Sequence, residues 1–145
     1  MELEKEIKQA YFKSEHHKLA VNILYTAGWL TYNDSRLCRD FGLTIQQYNM
    51  LKILKTQHPV PATVNSLTEQ MPDKTSNASR IVERLYAKEL VSRSVSERDR
   101  RSVDVAITGK GLGILEQLEP VIDRSREELH TLSSQEAREN LLGQR

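Results

Sequence analysis

Apolar side chains recur at helical spacing along most of the chain. They predict a first long helix, with Asp34 in the one gap of a series formed by Ile23, Ala27, Leu30, Leu37 and Phe41. Gly42 is a natural stop for this helix. Between Leu19 and Leu30 the apolar residues nearly encircle the helix, which predicts burial on more than one side, by its own domain and by a second subunit.

Three shorter helices are predicted next, each with its own start and stop signals. Thr44–Gln47 has the form of a capping box, and the two prolines of His58–Pro61 end this second helix. A short helix begins at Thr63 and ends at Pro72. Asp73 is the predicted cap of the fourth helix, whose core stripe consists of Ala78, Val82 and Leu85.

The period of the pattern then changes from that of a helix to that of a strand. Larger side chains alternate with small or polar ones in Val91–Val95 and Val103–Ile107, on either side of a charged turn. This pattern predicts a β-hairpin. A long last helix is capped by Thr108 and is expected to bend at Pro120. A capping-box sequence at Ser133–Glu136 predicts a further short helix.

The order of these elements predicts a mainly α-helical fold with a small β-hairpin. Two short helices joined by a tight turn form a helix-turn-helix, and a hairpin directly after them makes a winged helix. The long outer helices have apolar stripes without a partner in so small a domain, so we expect them to pair with a second copy. We predict an N-terminal helix in residues 1–42, for dimerisation and as a pocket wall, a winged helix-turn-helix in 43–111, and C-terminal dimerisation helices in 112–145. The predicted interface residues are Leu115, Leu118, Ile122 and Leu129.

Charge is unevenly distributed, although the formal net charge of the 145 residues is only +1. Residues 73–111 hold nine basic and six acidic side chains, whereas residues 112–145 hold four basic and seven acidic ones. The predicted fourth helix and hairpin are therefore positively charged, and the C-terminal helix is negatively charged. This distribution is expected of a protein that binds phosphates with one face and a second copy with another.

Composition argues against several other classes of protein. The uncharged run Leu19–Asn33 is too short and too polar to span a bilayer, and the mixed charges of the first residues argue against export. The single cysteine excludes an intrachain disulfide framework and fits a cytoplasmic protein. His16 and His17 point about 100° apart on a helix and make a poor chelate, so we expect no metal site. We also expect no cofactor. We find no motif of an enzyme.

The polar face of the fourth helix has the residue types that bind DNA. Its side chains recur every three or four residues, away from the core stripe. In a major groove asparagine pairs with adenine and arginine with guanine, and Arg84 and Lys88, further along, are placed for phosphates. The alternative is a solvated charged face. The predicted DNA contacts of this helix are Thr75, Ser76, Asn77, Ser79, Arg80, Arg84 and Lys88.

Several short sequences between Thr63 and Gly111 carry a resemblance to a known family. They are the helix Asp73–Leu85, the segment Lys88–Arg93, the wing Asp99–Arg101 and the strand exit Ala106–Gly111. In these sequences the chain resembles the multiple antibiotic resistance regulator (MarR) family of winged-helix repressors. The resemblance implies a homodimer joined by its N- and C-terminal helices, with each recognition helix in a major groove and each wing in a minor groove.

The resemblance also implies roles for the predicted wing contacts, which are Arg98, Asp99, Arg100 and Arg101. Arg101 would be the wing-tip arginine, drawn to the negative potential of a narrow minor groove, and Asp99 the acid that holds it by a salt bridge. The chain departs from the family pattern at two positions. Ser96 stands where many members have an acidic residue. Glu89 stands where many have a glycine, and a side chain would strain the left-handed turn expected there.

The family often senses small aromatic compounds or oxidants. The candidate pocket residues are Tyr25, Trp29, Tyr32 and Tyr48, and the alternative is that they belong to the domain core or the dimer interface. Cys38 is the candidate oxidant sensor because Arg36 and Arg39 are near it in sequence, and the alternative is an inert thiol.

The sequence as a whole predicts a homodimeric, sequence-specific DNA-binding transcriptional regulator. We expect a repressor that a small aromatic ligand or an oxidant releases from a pseudo-palindromic operator in double-stranded DNA. The alternative is a winged-helix module that binds protein without reading DNA sequence. A salt titration on duplex DNA separates the two, because binding driven by phosphate contacts weakens steeply with salt.

Overall fold

The structure, a computed structural model, describes residues 14–137. Over this range the chain forms helices and one small sheet. The helices are α1 (Glu15–Asp40), α2 (Ile45–Gln57), α3 (Val64–Gln70), α4 (Ala78–Ala87) and α5 (Gly109–Ala137), and the strands are β1 (Ala62–Thr63), β2 (Val91–Val95) and β3 (Val103–Ile107). No helix in this part of the chain is both long and apolar enough to cross a membrane. The fold is therefore mostly helical with a small antiparallel sheet, as predicted.

The chain divides into two compact units. Leu37–Glu119 forms one unit, and the other contains the described residues up to Arg36 and from Pro120 onward. The first of these holds the two short helices, the sheet and α2, and we call it the winged-helix unit. The second consists of helical segments of α1 and α5, and we call it the helical unit. The predicted division at residues 42 and 111 stays a prediction.

Local side-chain bonds start and stop the helices of the winged-helix unit where the sequence predicts. Gly42 follows α1 with a φ of 73°, a left-handed conformation that glycine adopts without strain. The predicted capping box at Thr44 is present, since Thr44 Oγ1 accepts from the Gln47 N–H at 3.1 Å and Gln47 Oε1 accepts from the Thr44 N–H at 3.2 Å. Thr63 caps α3 in a similar way through the Ser66 N–H.

The predicted cap of the fourth helix is wrong. Asn77, not Asp73, is the N-cap of α4, and its side chain accepts from the Arg80 N–H at 3.1 Å. Asp73 instead closes a small turn before the helix, where its Oδ1 accepts from the N–H and the hydroxyl of Thr75 at 2.9 and 2.6 Å. Aspartate and asparagine both form caps and turns, so the sequence alone did not separate these two roles.

The sheet has three strands rather than the two of the predicted hairpin. β2 and β3 pair from Val91↔Ile107 to Val95↔Val103, and β1 adds Ala62↔Val105 and Thr63↔Asp104 on the other edge of β3. Two residues are too few to show an alternating pattern, so the sequence did not predict β1. Val91, Val105 and Ile107 are buried, whereas Val95 is 63% exposed. The outer end of the hairpin therefore extends beyond the hydrophobic core.

The core stripe of α4 is buried as predicted, at Ala78, Val82 and Leu85. At Gly111, near the start of α5, a Cβ would lie only 2.4 Å from the carbonyl oxygen of Leu90 and 2.8 Å from Ile107 Cγ1. A glycine is needed here because α5 leaves the sheet in direct contact with the chain that enters β2.

The last helix is longer than predicted. α5 is assigned without a break from Gly109 to Ala137 and contains Pro120. The separate helix expected from Ser133 is wrong, because the backbone remains helical through those positions. Serine and glutamate at a capping spacing also occur inside a helix when no proline or glycine ends it. The apolar residues predicted for that helix, Leu141 and Leu142, lie outside the described residues.

Candidate nucleic-acid interface

α4 presents a polar face opposite its buried stripe. Ser79, Arg80, Glu83 and Arg84 are exposed, whereas Ala78, Val82 and Leu85 lie in the core. Arg80 and Arg84 are one helical turn apart, so both guanidinium groups are on the same side of the helix. This face offers planar donors to bases and phosphates without any change in the helix itself.

The predicted contacts before α4 have roles inside the protein. The Oδ1 atom of Asn77 accepts the capping hydrogen bond, so a bidentate pair with adenine would compete with the cap. The Thr75 hydroxyl donates to Asp73, and the Ser76 hydroxyl is buried without a hydrogen-bond partner. Their DNA contacts stay predictions, and Arg80 and Arg84 are the predicted contacts of α4 that are best exposed for them.

The turn before α4 is held by an ionised carboxylate. The hydrogen bonds from the hydroxyl and then from the N–H of Thr75 lower the pKa of Asp73 below 3.8. Lys74 Nζ donates to the Glu69 carbonyl oxygen of α3 at 2.5 Å. The turn of the helix-turn-helix is therefore fixed by its own polar side chains.

Lys88, at the C-cap of α4, has its ammonium group bound within the protein. Lys88 Nζ donates to the Gly42 carbonyl oxygen at 2.6 Å and to Gln47 Oε1 at 2.8 Å. Burial lowers the pKa of Lys88 from 10.5, and the neighbouring charge of Arg84 lowers it further. The predicted phosphate contact of Lys88 would have to compete with these two bonds.

Ser96 organises the wing from its inner end. It is 5% exposed, and its hydroxyl oxygen accepts from the Arg98 and Asp99 N–H groups at 3.3 and 3.4 Å. Its own N–H donates to the Ser102 carbonyl oxygen at 3.0 Å. The hydroxyl of Ser96 thus braces the inner end of the wing.

Asp99 holds the wing tip through the backbone rather than through an ion pair. Its carboxylate accepts from the Arg101 N–H at 3.0 Å and from the Ser102 hydroxyl at 3.3 Å. The salt bridge between Asp99 and Arg101 that the resemblance implied is not among the ion pairs of the described residues. Arg98, Arg100 and Arg101 are all exposed, so the three guanidinium groups of the wing face solvent.

Sequence reasoning missed a contact that joins α4 to the wing. The guanidinium carbon of Arg93 on β2 lies 4.0 Å from the centre of the Tyr86 ring on α4. Such a cation–π contact stabilises the pair by about 0.5–1 kcal/mol at an exposed site. The sequence held one signal of this contact. An arginine follows an aromatic residue by seven positions, across the predicted turn from helix to strand. Arg93 adds a further positive charge between the recognition helix and the wing.

The strained turn expected at Glu89 is present. Glu89 has a φ of 62°, in the left-handed region that favours glycine. Its carbonyl oxygen accepts from the Thr108 hydroxyl at 2.8 Å, and its N–H donates to the Tyr86 carbonyl oxygen. Hydrogen bonds on both sides of the residue therefore fix this turn between α4 and β2.

The candidate sensing residues occupy different surroundings. Tyr25 and Trp29 are half-buried and Tyr32 is 64% exposed, all in the helical unit. Tyr48 is buried in the winged-helix unit, with Lys52 Nζ 5.2 Å from the centre of its ring. Cys38 has no exposed surface, which fits the inert thiol better than the oxidant sensor, because an oxidant must reach the sulfur. The pocket and the redox role stay predictions.

Burial within one chain argues against the dimer interface predicted on α5 for the three residues whose side chains the structure describes, and that interface stays a prediction. Leu115, Leu118 and Ile122 are fully buried within a single chain, so they have no surface for a second copy. The apolar stripe was identified correctly, but it packs into the chain's own core. Leu129 lies outside the residues whose side chains are described.

Comparison with known structures gives the same architecture. The chain is 28% identical to a MarR transcription factor from Planctomyces limnophilus over 90% of this chain and 96% of the other, with a TM-score of 0.71. Wild-type MarR from E. coli is 20% identical over 78% and 82% of the two chains, with a TM-score of 0.68. A MepR–DNA complex from S. aureus is 20% identical over 86% and 91%, also with a TM-score of 0.68. No curated protein sequence matches.

The helix-turn-helix of α3 and α4, followed by the hairpin of β2 and β3, defines a winged-helix protein. Residues 43–103 match the family model described as MarR family, and the solved structures that the chain resembles are MarR-type regulators. Residues 43–103 are therefore similar to the MarR family, and the solved structure that is 28% identical to the chain is that of a MarR transcription factor.

Proposed function

We propose that this chain is a homodimeric repressor that reads a specific DNA sequence. The observation that carries the proposal is the set of exposed arginines, Arg80 and Arg84 on α4 and three more in the wing, on supports fixed by hydrogen bonds. Arginine on a recognition helix pairs with guanine in the major groove, and arginine on a wing fits a narrow minor groove. The MepR–DNA complex with the same fold supports this use of the surface.

The proposed dimer is supported by α1, where apolar side chains are exposed and several polar ones are buried. Between Leu19 and Thr31 the exposed positions of this helix carry no charge, and they are Leu19, Ala20, Ile23, Leu24, Ala27, Gly28 and Thr31. Asn22, Asn33 and Asp34 are buried instead, where Asp34 pairs with Arg126 at 3.1 Å. An exposed apolar face of this kind is typical of a protein interface. A second copy of the same face would cover it, as in most symmetric dimers.

A dimer of this kind suits a pseudo-palindromic operator. Two recognition helices related by twofold symmetry enter successive major grooves, so the operator has two similar half-sites. Protein bound there blocks access to an overlapping promoter, which is repression. We propose that an aromatic compound, or oxidation of Cys38, releases the protein. The single cysteine fits the reducing cytoplasm.

DNA binding is tested by salt titration with the duplex from the gene's own upstream region. The logarithm of the binding constant should fall with the logarithm of salt by about 0.9 per phosphate contact. Arg80→Ala should weaken binding to the operator by about 1–3 kcal/mol, while binding to unrelated DNA should stay nearly unchanged. Arg124→Ala, an exposed arginine in the helical unit, is the matched control and should bind as the unaltered protein does.

The alternative function gives a different result in the same titration. If no duplex binds at low salt, the chain is a winged-helix module for a protein partner, and the regulator proposal fails. If all sequences bind equally and Arg80→Ala weakens them uniformly, Arg80 contacts phosphate and sequence reading is wrong. A release screen with phenolic compounds and peroxide, repeated with Cys38→Ser, then separates ligand from oxidant.

A further inference from the structure

The side chain of Lys88 joins the end of α4 to the turn between α1 and α2. Its Nζ donates to the carbonyl oxygen of Gly42, two residues after α1, and to Oε1 of Gln47 in the first turn of α2. Lys88 is 41 residues from Gln47 along the chain, so this is a tertiary link. It acts on the C-terminal end of the helix whose other end would enter the DNA groove.

Both acceptors are held firmly by other bonds. Gln47 is 3% exposed, and its Oε1 also accepts from the Thr44 N–H in the capping box of α2. Gly42 is fixed by its own N–H, which donates to the Arg39 carbonyl oxygen at 2.9 Å. A flexible lysine bound to two rigid acceptors loses its freedom to swing, and the end of α4 is fixed with it.

A phosphate contact would require the same ammonium group. Moving Lys88 Nζ to a phosphate would break two short hydrogen bonds and leave the buried Oε1 of Gln47 with one donor fewer. Arg84, one turn earlier on α4, is exposed, so it reaches a phosphate without breaking this link. The pKa of Lys88 is lowered first by partial burial and second by the charge of Arg84, which agrees with an ammonium group that packs against the protein on one side.

We propose that Lys88 is a positioning residue that fixes the recognition helix against the α1–α2 turn and does not contact the DNA backbone. The inference rests on the proposed DNA binding, and it changes the role that the sequence predicted for this residue. A helix fixed in advance binds DNA with less loss of conformational entropy than a helix free to rock. Loss of the link should therefore weaken DNA binding although no DNA contact is removed.

The experiment compares Lys88→Met with Arg84→Met in salt titrations on the same operator. Lys88→Met should weaken DNA binding by about two- to thirtyfold, which is the range for substitutions that affect binding without contacting the ligand. Its salt slope should equal that of the unaltered protein. Arg84→Met should lower the salt slope by about 0.9 for each lost contact. A lowered slope for Lys88→Met, or an unchanged affinity, would overturn the proposal.

Gln47 provides the second arm of the test. Gln47→Glu keeps an acceptor for Lys88 and should retain the affinity for DNA. Gln47→Met removes the acceptor, and the double variant Gln47→Met/Lys88→Met should bind no worse than the weaker single variant. Additive losses would show that the two residues act separately and would contradict the link.

Amide hydrogen exchange of the protein without DNA separates this inference from the proposed function. The α4 amides should exchange faster in Lys88→Met than in Arg84→Met, because only the former loses the tertiary link. If the unaltered protein binds no duplex, the proposed function fails, and equal exchange in the two variants would independently show that Lys88 does not fix α4.

Discussion

At the scale of single residues, Glu89 is a place where this chain stores backbone strain. Its φ of 62° lies in the left-handed region, where a Cβ crowds the backbone. We expect Glu89→Gly to raise the free energy of unfolding by about 1 kcal/mol, because glycine relieves the strain. Urea denaturation of the two proteins measures the change.

The ion pair of Glu89 requires a control. Glu89 Oε2 lies 3.6 Å from Lys110 Nζ, but both side chains are well exposed, so this pair adds little stability. Glu89→Ala removes the ion pair and retains the Cβ, so it should not stabilise the protein. Equal stabilisation by alanine and glycine would mean that the carboxylate, rather than the backbone conformation, is the unfavourable feature.

The hydrogen bonds of the turn before α4 should be measurable in the titration of the Asp73 carboxyl group. Its pKa lies below 3.8 because Thr75 donates two hydrogen bonds to the ionised form. A depressed pKa in the folded state means that the turn gains stability above pH 3.8 and loses it as the pH falls through the folded pKa. Thr75→Ala removes the larger cause, so the midpoint measured by NMR of the Asp73 carboxyl carbon should move up toward 3.8.

A threonine on the neighbouring helix serves as the matched control for this titration. Thr68 donates its hydroxyl hydrogen bond to the Val64 carbonyl oxygen and not to Asp73. Thr68→Ala should therefore leave the Asp73 midpoint where it is. A midpoint that stays the same in Thr75→Ala would show that the turn does not hold the carboxylate.

Several residues that the sequence assigned to DNA have a role within the protein. Asn77 caps α4, Thr75 donates to Asp73, and Lys88 binds Gly42 and Gln47. Residue type and spacing identified these side chains as polar groups able to form hydrogen bonds. They did not predict the partners, because Gly42 and Gln47 come near Lys88 only through the tertiary fold. Arg80 and Arg84 are exposed, and their DNA contacts stay predictions.

At the scale of elements, the wing depends on the buried hydroxyl of Ser96. Its oxygen accepts from the N–H groups of Arg98 and Asp99, and removing it leaves these donors without a protein partner. We expect Ser96→Ala to speed amide exchange in residues 97–102 and to weaken DNA binding severalfold. Hydrogen exchange followed by mass spectrometry or NMR measures the first effect, and a titration with operator DNA measures the second.

A neighbouring serine, on β2, provides the comparison. Ser94 is exposed on β2, so Ser94→Ala should leave both the exchange of the wing and the DNA affinity unchanged. If Ser96→Ala behaves like Ser94→Ala, the wing is held by Asp99 and the strand pairing alone.

Elements with a long periodic pattern were predictable, and elements defined by a tertiary partner were not. The long helices and the hairpin follow from spacing, and the capping box at Thr44 follows from local chemistry. β1 has two residues and exists because β3 offers it an edge. The start of α4 was misplaced because Asp73 and Asn77 both suit a cap, and only the packing of Ala78 into the core decides between them.

At the scale of the whole molecule, an apolar stripe in the sequence does not reveal what covers it. Leu118 and Leu24 lie in helices with similar patterns, yet Leu118 is fully buried and Leu24 is 72% exposed. The sequence predicted that a partner exists and assigned it to the N-terminal and C-terminal helices together. The exposed apolar face of α1 is open to a second copy, whereas the stripe on α5 is already covered within one chain.

This difference predicts opposite outcomes for one type of substitution. Leu24→Asp adds a charge to an exposed face, so it should turn the dimer into a monomer while leaving the helical content unchanged. Leu118→Asp places a charge in the core, and the desolvation of that charge should cost several kcal/mol and unfold the protein. Sedimentation equilibrium and circular dichroism measure the two effects separately.

The control for this comparison is an exposed apolar residue away from α1. Val60 is 66% exposed in the segment between α2 and α3, so Val60→Asp adds the same charge to the surface and should leave the dimer intact. If Leu24→Asp remains a dimer, the exposed face of α1 is not the interface. If Val60→Asp also dissociates, the effect of the added charge is not specific to α1. Only separation of Leu24→Asp from both other variants supports a dimer built on α1, because that result requires an interface that is local, apolar and distinct from the core.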